Sequence, residues 1–94
     1  MKPDVSIVVP AYEESERLGG SVRKILAYVD DQNINAELIV VDDGSNDHTT
    51  GVAREACSEF PDADTKVIRY EANRGKGFAV KTGLLDASAE VALF

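Results

Sequence analysis

Two adjacent carboxylates, Asp42 and Asp43, follow the apolar run Leu38-Ile39-Val40-Val41 and lead into Gly44-Ser45-Asn46-Asp47-His48-Thr49. An unbroken apolar run reads as a parallel strand buried on both faces, and the polar stretch after it as a turn into a helix. The acid pair therefore falls at a strand's carboxyl end, where open α/β sheets place their ligands. Holding two neighbouring carboxylates charged there is costly, and packing alone gives no reason for it. What such a pair can do is accept N–H or O–H hydrogen bonds at charge-assisted strength. The plainer reading is a strand-ending turn, with Asp47 capping the following helix.

Two more segments carry chemistry. Val8-Val9-Pro10-Ala11-Tyr12-Glu13-Glu14 closes the first strand with an aromatic ring and acids, and Asn73-Arg74-Gly75-Lys76-Gly77 opens the third helix with two cations and two glycines. Glycines at a helix start expose N–H groups that favour negative charge, although a short glycine pair also serves a tight turn. Tyr12 could equally cover the sheet edge with its hydroxyl in water. Glu13, Glu14 and Glu16 suit a solvated helix start favoured by the macrodipole. His48 has no second His or Cys nearby and reads as solvated rather than as a metal ligand.

These segments need elements to hold them. Val5 to Val9 reads as a first strand, stopped by Pro10, which has no N–H for a central ladder. Leu18, Val22, Ile25, Leu26 and Val29 share one helical face, which predicts a helix from about Ser15 to Asp30 capped by Ser15. Gly19 and Gly20 weaken it by roughly 1 kcal/mol each relative to Ala. Glu37 to Val41 is the second strand. Val52, Ala53, Ala56 and Cys57 give the second helix its buried face, with Ser45 or Asp47 at its start and Pro61 beyond its end. Lys66 to Tyr70 is the third strand; Phe78, Val80, Leu84 and Ala87 mark the buried face of a third helix, and Val91 to Phe94 opens a fourth strand. The order β-α-β-α-β-α-β predicts an α/β fold with a mainly parallel sheet and right-handed crossovers.

The 94 residues allow one small domain or part of a larger one. With 44% hydrophobic and 29% charged residues the composition is that of a globular chain. A net charge of -7, from 17 acidic and 10 basic residues, works against a nucleic-acid partner. Cys57 stands alone, so it forms no internal disulfide and reads as a small buried residue in a reducing compartment. No apolar run approaches the ~18 residues a membrane span needs, and Met1-Lys2-Pro3-Asp4 carries no signal-peptide core, which gives a cytoplasmic expectation. The chain also ends within an apolar strand, which points to the N-terminal part of something longer.

The three motifs together, in order at the ends of successive strands, resemble the family 2 glycosyltransferases with a GT-A fold. Among these they are most similar to dolichyl-phosphate β-glucosyltransferases and polyprenyl-phosphate sugar transferases. The resemblance runs from Val5 to Phe94 and implies a three-layer, Rossmann-like half of a GT-A fold. It implies that Pro10, Ala11, Tyr12 and Glu14 meet the base and ribose of a nucleotide sugar such as UDP-glucose. It also implies that Asp42 accepts the uracil imide N–H. Asp43 would hold the adjoining turn or the ribose side, Gly44 would let the backbone approach the ligand, and Arg74, Gly75 and Lys76 would reach base or phosphate.

The parent enzyme would use Mg²⁺ or Mn²⁺ at an Asp-x-Asp motif and transfer a hexose with inversion to a dolichyl or polyprenyl phosphate at the cytoplasmic face of a membrane. The resemblance implies that this motif would lie beyond Phe94, so these 94 residues would hold no metal and be inactive alone. Many relatives carry Asn where this chain has Glu13. Association into a homodimer through Val91 to Phe94 is a further expectation, because that strand leaves an unpaired edge.

Two other readings compete. A phosphoacceptor receiver domain also uses an acid pair, for Mg²⁺, but at the end of its first strand, and its third strand ends in a lone Asp where this chain has Arg69-Tyr70-Glu71. A structural half-domain with no ligand is the other. A dinucleotide fold is excluded, since Pro10-Ala11-Tyr12 stands where Gly-x-Gly-x-x-Gly belongs.

Overall fold

The computed structural model describes residues 2–94. Seven elements alternate along the chain: β1 (Val5–Ala11), α1 (Leu18–Asp31), β2 (Ala36–Asp43), α2 (Thr49–Ser58), β3 (Asp64–Tyr70), α3 (Lys76–Asp86) and β4 (Ala92–Leu93). The four strands are parallel in the order β3-β2-β1-β4. The α/β class and the parallel sheet are those the sequence predicts.

β2 is buried along almost its whole length because helices cover both faces of the sheet. Leu38 and Val40 point to the α1–α2 side, against Val22, Leu26, Ala53 and Ala56. Ile39 and Val41 point the other way, with Val8, against Ala79 of α3. Each such Val, Leu or Ile taken out of water contributes about 1.5–3 kcal/mol before chain entropy is counted. Cys57 is buried in the first cluster, as its place in the helical pattern predicts.

Four local expectations change. β1 continues through Pro10, which pairs with Val41. The Ser6 N–H donates to Val91 of the β4 side, and alternation by two turns the Pro10 nitrogen to that same side, beyond the two residues where β4 pairs. Among the described residues no ladder bond is lost there. α1 begins at Leu18, after a turn in which the Glu14 carbonyl accepts from Arg17 and Leu18, and Ser15 does not cap it.

α3 buries Ala79, Val80 and Gly83 and leaves Phe78 and Leu84 exposed. A Cβ on Gly83 would stand 2.3 Å from Val8 Cγ1, so the helix lies too close to the sheet for bulky residues beneath it. Phe78 moves to the flank and meets the Tyr70 ring edge-on, with centroids 5.3 Å apart. β4 pairs only through Ala92 and Leu93, a shorter strand than Val91 to Phe94.

Glu37, buried at the amino end of β2, fastens the turn before β4. Its Oε1 accepts from the Ser6 hydroxyl and the Ser88 N–H, both at 2.5 Å, and the Ser6 oxygen accepts from the Ala89 N–H at 3.1 Å. Burial pushes this carboxyl upward, but the Ser6 and Ser88 hydrogen bonds outweigh it and hold the group below the usual carboxylate range.

Candidate functional site

The chain runs outward from β1 through β2 to β3, then returns to lay β4 on the other side of β1. That reversal is the switch point at which open α/β sheets hold ligands beyond the strands' carboxyl ends. The loops after β1, β2 and β3 converge at this end and are fastened to one another. Glu13 N–H donates to Ser45 Oγ at 2.7 Å, and Glu14 N–H donates to Thr49 Oγ1 at 3.0 Å. Arg69 reaches from β3 and donates to the Ser45 carbonyl at 3.0 Å. Ser45 therefore serves the β1 loop rather than capping α2. Asp47 takes the helix start instead, accepting the Thr49 N–H at 3.0 Å and the Thr49 hydroxyl. The Thr49 bonds hold its carboxyl low. His48 is exposed at the helix start.

Asp43 organises the β3–α3 loop. Oδ1 accepts from the Tyr70 hydroxyl at 2.5 Å and the Arg74 N–H at 2.9 Å; Oδ2 accepts from Asn73 Nδ2 at 2.9 Å and the Gly75 N–H at 2.8 Å. A carboxylate offers about four lone-pair sites, so this one is filled from within. Burial pushes Asp43 up, but the bonds from Tyr70, Arg74 and Gly75 prevail and hold it below the ordinary carboxylate range. Tyr70 moves upward, through burial and then through Asp43. Of the two roles given to Asp43, holding the adjoining turn is the one the geometry displays.

Asp42 is 1% exposed. Its Oδ1 accepts from the Ser45 N–H at 3.0 Å and its Oδ2 from the Thr50 hydroxyl at 2.5 Å, with Arg69 Nε 4.0 Å away. It has lone pairs to spare but no open face. Gly44 has φ 73°, and a Cβ there would lie 2.7 Å from the Asn73 nitrogen and the Glu71 carbonyl. The β3–α3 loop packed on it thus requires a glycine at this position.

The remaining predicted residues lie around the rim. Ala11 is buried opposite Asp42 in the ladder, and Pro10 is half-buried beside it. Tyr12 is 44% exposed, and its phenol is held protonated chiefly by the Glu13 carboxylate. Glu14 pairs with Arg17 at 3.2 Å. The Arg74 guanidinium lies 5.1 Å from the Phe78 ring centre, while Gly75, at φ 94°, turns the chain into α3 and places Lys76 on its first turn.

Sequence reasoning gave no role to four residues that hold the site: Thr50, Arg69, Tyr70 and Asn73. Tyr70 and Asn73 were findable, because a polar ring ending a strand level with an acid pair, and an amide two residues before a glycine, are natural donors to a buried carboxylate. A divalent cation does not fit these residues. Asp43 has no acceptor site left, Asp42 is enclosed, and the described residues contain no group of three or more His, Cys, Asp and Glu able to hold a metal ion. The same saturation removes the receiver reading, whose acid pair must face Mg²⁺. Among the described residues no helix is long and apolar enough to cross a membrane.

This chain is similar to known proteins in sequence and in fold. Residues 6–94 match the family described as Glycosyl transferase family 2. The human dolichyl-phosphate beta-glucosyltransferase is 37% identical over 91 residues, which span 92% of this chain and 28% of that protein. The dolichol-phosphate mannosyltransferase of Pyrococcus furiosus is 37% identical over 89 residues, 93% of this chain and 23% of that one. A mannosyltransferase from Pyrobaculum calidifontis, solved in complex with GDP-Man and Mn²⁺, superposes with a TM-score of 0.78 at 27% identity over 98% of this chain and 26% of its own. The chain thus spans about a quarter of the length of these relatives, and over that span it has the GT-A, Rossmann-like α/β fold. With the match running from Ser6 to Phe94, the chain belongs to glycosyltransferase family 2.

Proposed function

We propose that residues 1–94 are the nucleotide-binding part of a hexosyltransferase that moves a sugar from a nucleotide sugar, UDP-glucose, to a dolichyl or polyprenyl phosphate with inversion, at the cytoplasmic face of a membrane. The observation that carries this reading is the fastening of three loops through Asp43, Ser45 and Thr49 at the β1/β4 switch point. That fastening presents Tyr12, Glu14, Arg74 and Lys76 from one end of the sheet. Tyr12 supplies a face for the base. Arg74 and Lys76 supply cations for the phosphates.

Of the acid pair, only Asp42 keeps acceptor capacity, so the uracil imide is assigned to it, reached when the half-exposed Arg69 side chain turns outward. Cytosine, with an unprotonated N3, meets the same carboxylate lone pair to lone pair. The Mg²⁺ or Mn²⁺ of the parent enzyme is assigned to ligands outside these residues, and this chain alone is expected to transfer no glucose.

UDP titration followed by amide chemical shifts tests the reading. Binding at a dissociation constant near 1 mM, worth about -4 kcal/mol, should move Tyr12, Ser45 and Arg74, and Asp42→Asn should remove most of it. Equal shifts with UDP and pyrophosphate would show that no base pocket exists, leaving a structural half-domain. Exposed Val91, Leu93 and Phe94 also support a homodimer through β4. Sedimentation at several concentrations, with Leu93→Lys expected to give a monomer, decides that point.

A further inference from the structure

At the opposite pole of the sheet, away from all three motif loops, lies a groove of about 470 Å³. Its floor is apolar: Ile25 and Val29 of α1, Ile34 of the α1–β2 loop and Phe60 after α2. Ile34 is 37% exposed at its mouth. Its rim is acidic. Asp30, Glu59, Asp62 and Asp64 line it, with Glu37 buried beneath, and among the described residues no Lys or Arg does. Among the described residues Glu59 pairs with Arg23 at 2.7 Å, while Asp30, Asp62 and Asp64 form no ion pair.

Two helix ends add to this field. α1 ends at Asp31 and α2 at Ser58, both on this side, and neither carries a basic residue in its last turn. Their carbonyl ends thus contribute further negative potential, offset only at α2 by the Arg23 that pairs with Glu59. An apolar floor inside an anionic rim selects a ligand with the inverse pattern, large apolar side chains flanked by cations. A second copy of this chain would set the same carboxylates face to face. A bare divalent ion finds no ligand cluster among the described residues.

We propose that this groove is a docking site for a basic amphipathic helix of a protein partner, with Leu-like anchors on Ile25, Val29, Ile34 and Phe60 and Lys or Arg against Asp30, Asp62 and Asp64. This is the helix-in-groove mode of recognition, with charge setting the choice of partner. The site is independent of the nucleotide reading, since it shares no residue with it.

The test uses the 94-residue protein and a fluorescein-labelled peptide of about 15 residues, long enough to form a helix, with Leu on one face and Lys elsewhere. Anisotropy should report saturable one-to-one binding. Asp62→Asn with Asp64→Asn should weaken it roughly fivefold, and Ile34→Ser by a similar factor. All three positions are solvent-facing enough for the fold to survive, which circular dichroism checks. Glu16→Gln with Glu71→Gln, the same charge change at the other pole, should leave binding unchanged. Amide shifts should centre on Asn33, Ile34 and Ala63. The proposal is overturned by absence of binding, by equal loss in the two double variants, by equal affinity for a peptide with Ser in place of Leu, or by shifts centred on exposed Phe78 and Leu85 of α3.

Discussion

The Tyr70 hydroxyl donates to Asp43 Oδ1 at 2.5 Å, joining the last residue of β3 to the last residue of β2, its own partner in the ladder. The bond contributes to shifts of opposite sign: burial and then Asp43 hold the phenol protonated, while the bonds from Tyr70, Arg74 and Gly75 outweigh burial and hold the carboxyl ionised. It also stiffens the point from which the β3–α3 loop departs, because Asp43 accepts the Arg74 and Gly75 N–H groups as well.

Tyr70→Phe keeps the edge-on contact with Phe78 and removes only the hydroxyl. A hydrogen bond to a buried charge contributes about 2 kcal/mol, so urea unfolding should show a loss of that order. Hydrogen exchange should show the Arg74 and Gly75 amides losing more protection than those of α1. Uniform loss along the chain would mean that the bond acts on global stability and not on the loop.

Stability should fall in acid through Asp43 and Glu37. Both have native pKa values below their unfolded values, so between the two the unfolded chain binds more protons. Their contribution is therefore complete above the unfolded carboxylate range, about 4, and is lost as pH falls through the depressed native values. Urea midpoints measured from pH 6 downward should be level at first and then drop. The drop should be shallower in Glu37→Gln, and a variant as steep as the parent would remove Glu37 from the account.

Gly44→Ala and Gly51→Ala should move stability in opposite directions. At Gly44 the new methyl meets two backbone atoms at 2.7 Å with φ at 73°, a loss of about 3 kcal/mol. At Gly51, exposed inside α2 with nothing within 4 Å of the new Cβ, helix propensity should add about 1 kcal/mol. Thermal melts of both variants check the pair.

Glu13 sits at φ 50°, a left-handed conformation that Glu adopts at a cost and Asn tolerates. Glu13→Asn should raise stability by about 1 kcal/mol without disturbing the backbone bond to Ser45. A decrease would show that the Glu13 side chain contributes more than its backbone strain removes.

The position of the acid pair was legible because an apolar run with no polar alternation specifies a strand covered on both sides, and a parallel strand ends at its ligand side. The direction of the α3 face was not. Phe78 and Leu84 look like a buried face by hydrophobicity, but Gly83 and Ala79 decide the contact by letting the helix approach Val8, and small size carries no weight in a hydrophobic pattern. The enclosure of Asp42 was invisible for a related reason. Its donors, the Ser45 N–H in the turn and the Thr50 hydroxyl at the start of α2, are brought to it by a path that depends on Gly44 and the packed β3–α3 loop.

Pro10 has a further consequence, for misassembly. The side of β1 toward which the Pro10 nitrogen points is paired, among the described residues, at Ser6 and Ile7. A strand added there would need the nitrogen of position 10 as a donor, and proline offers none. The ring thus denies a donor to any foreign strand that would add beside it on that side of β1. Pro10→Val would complete that ladder and should turn a dilute, well-behaved solution into one that forms β-rich aggregates on standing.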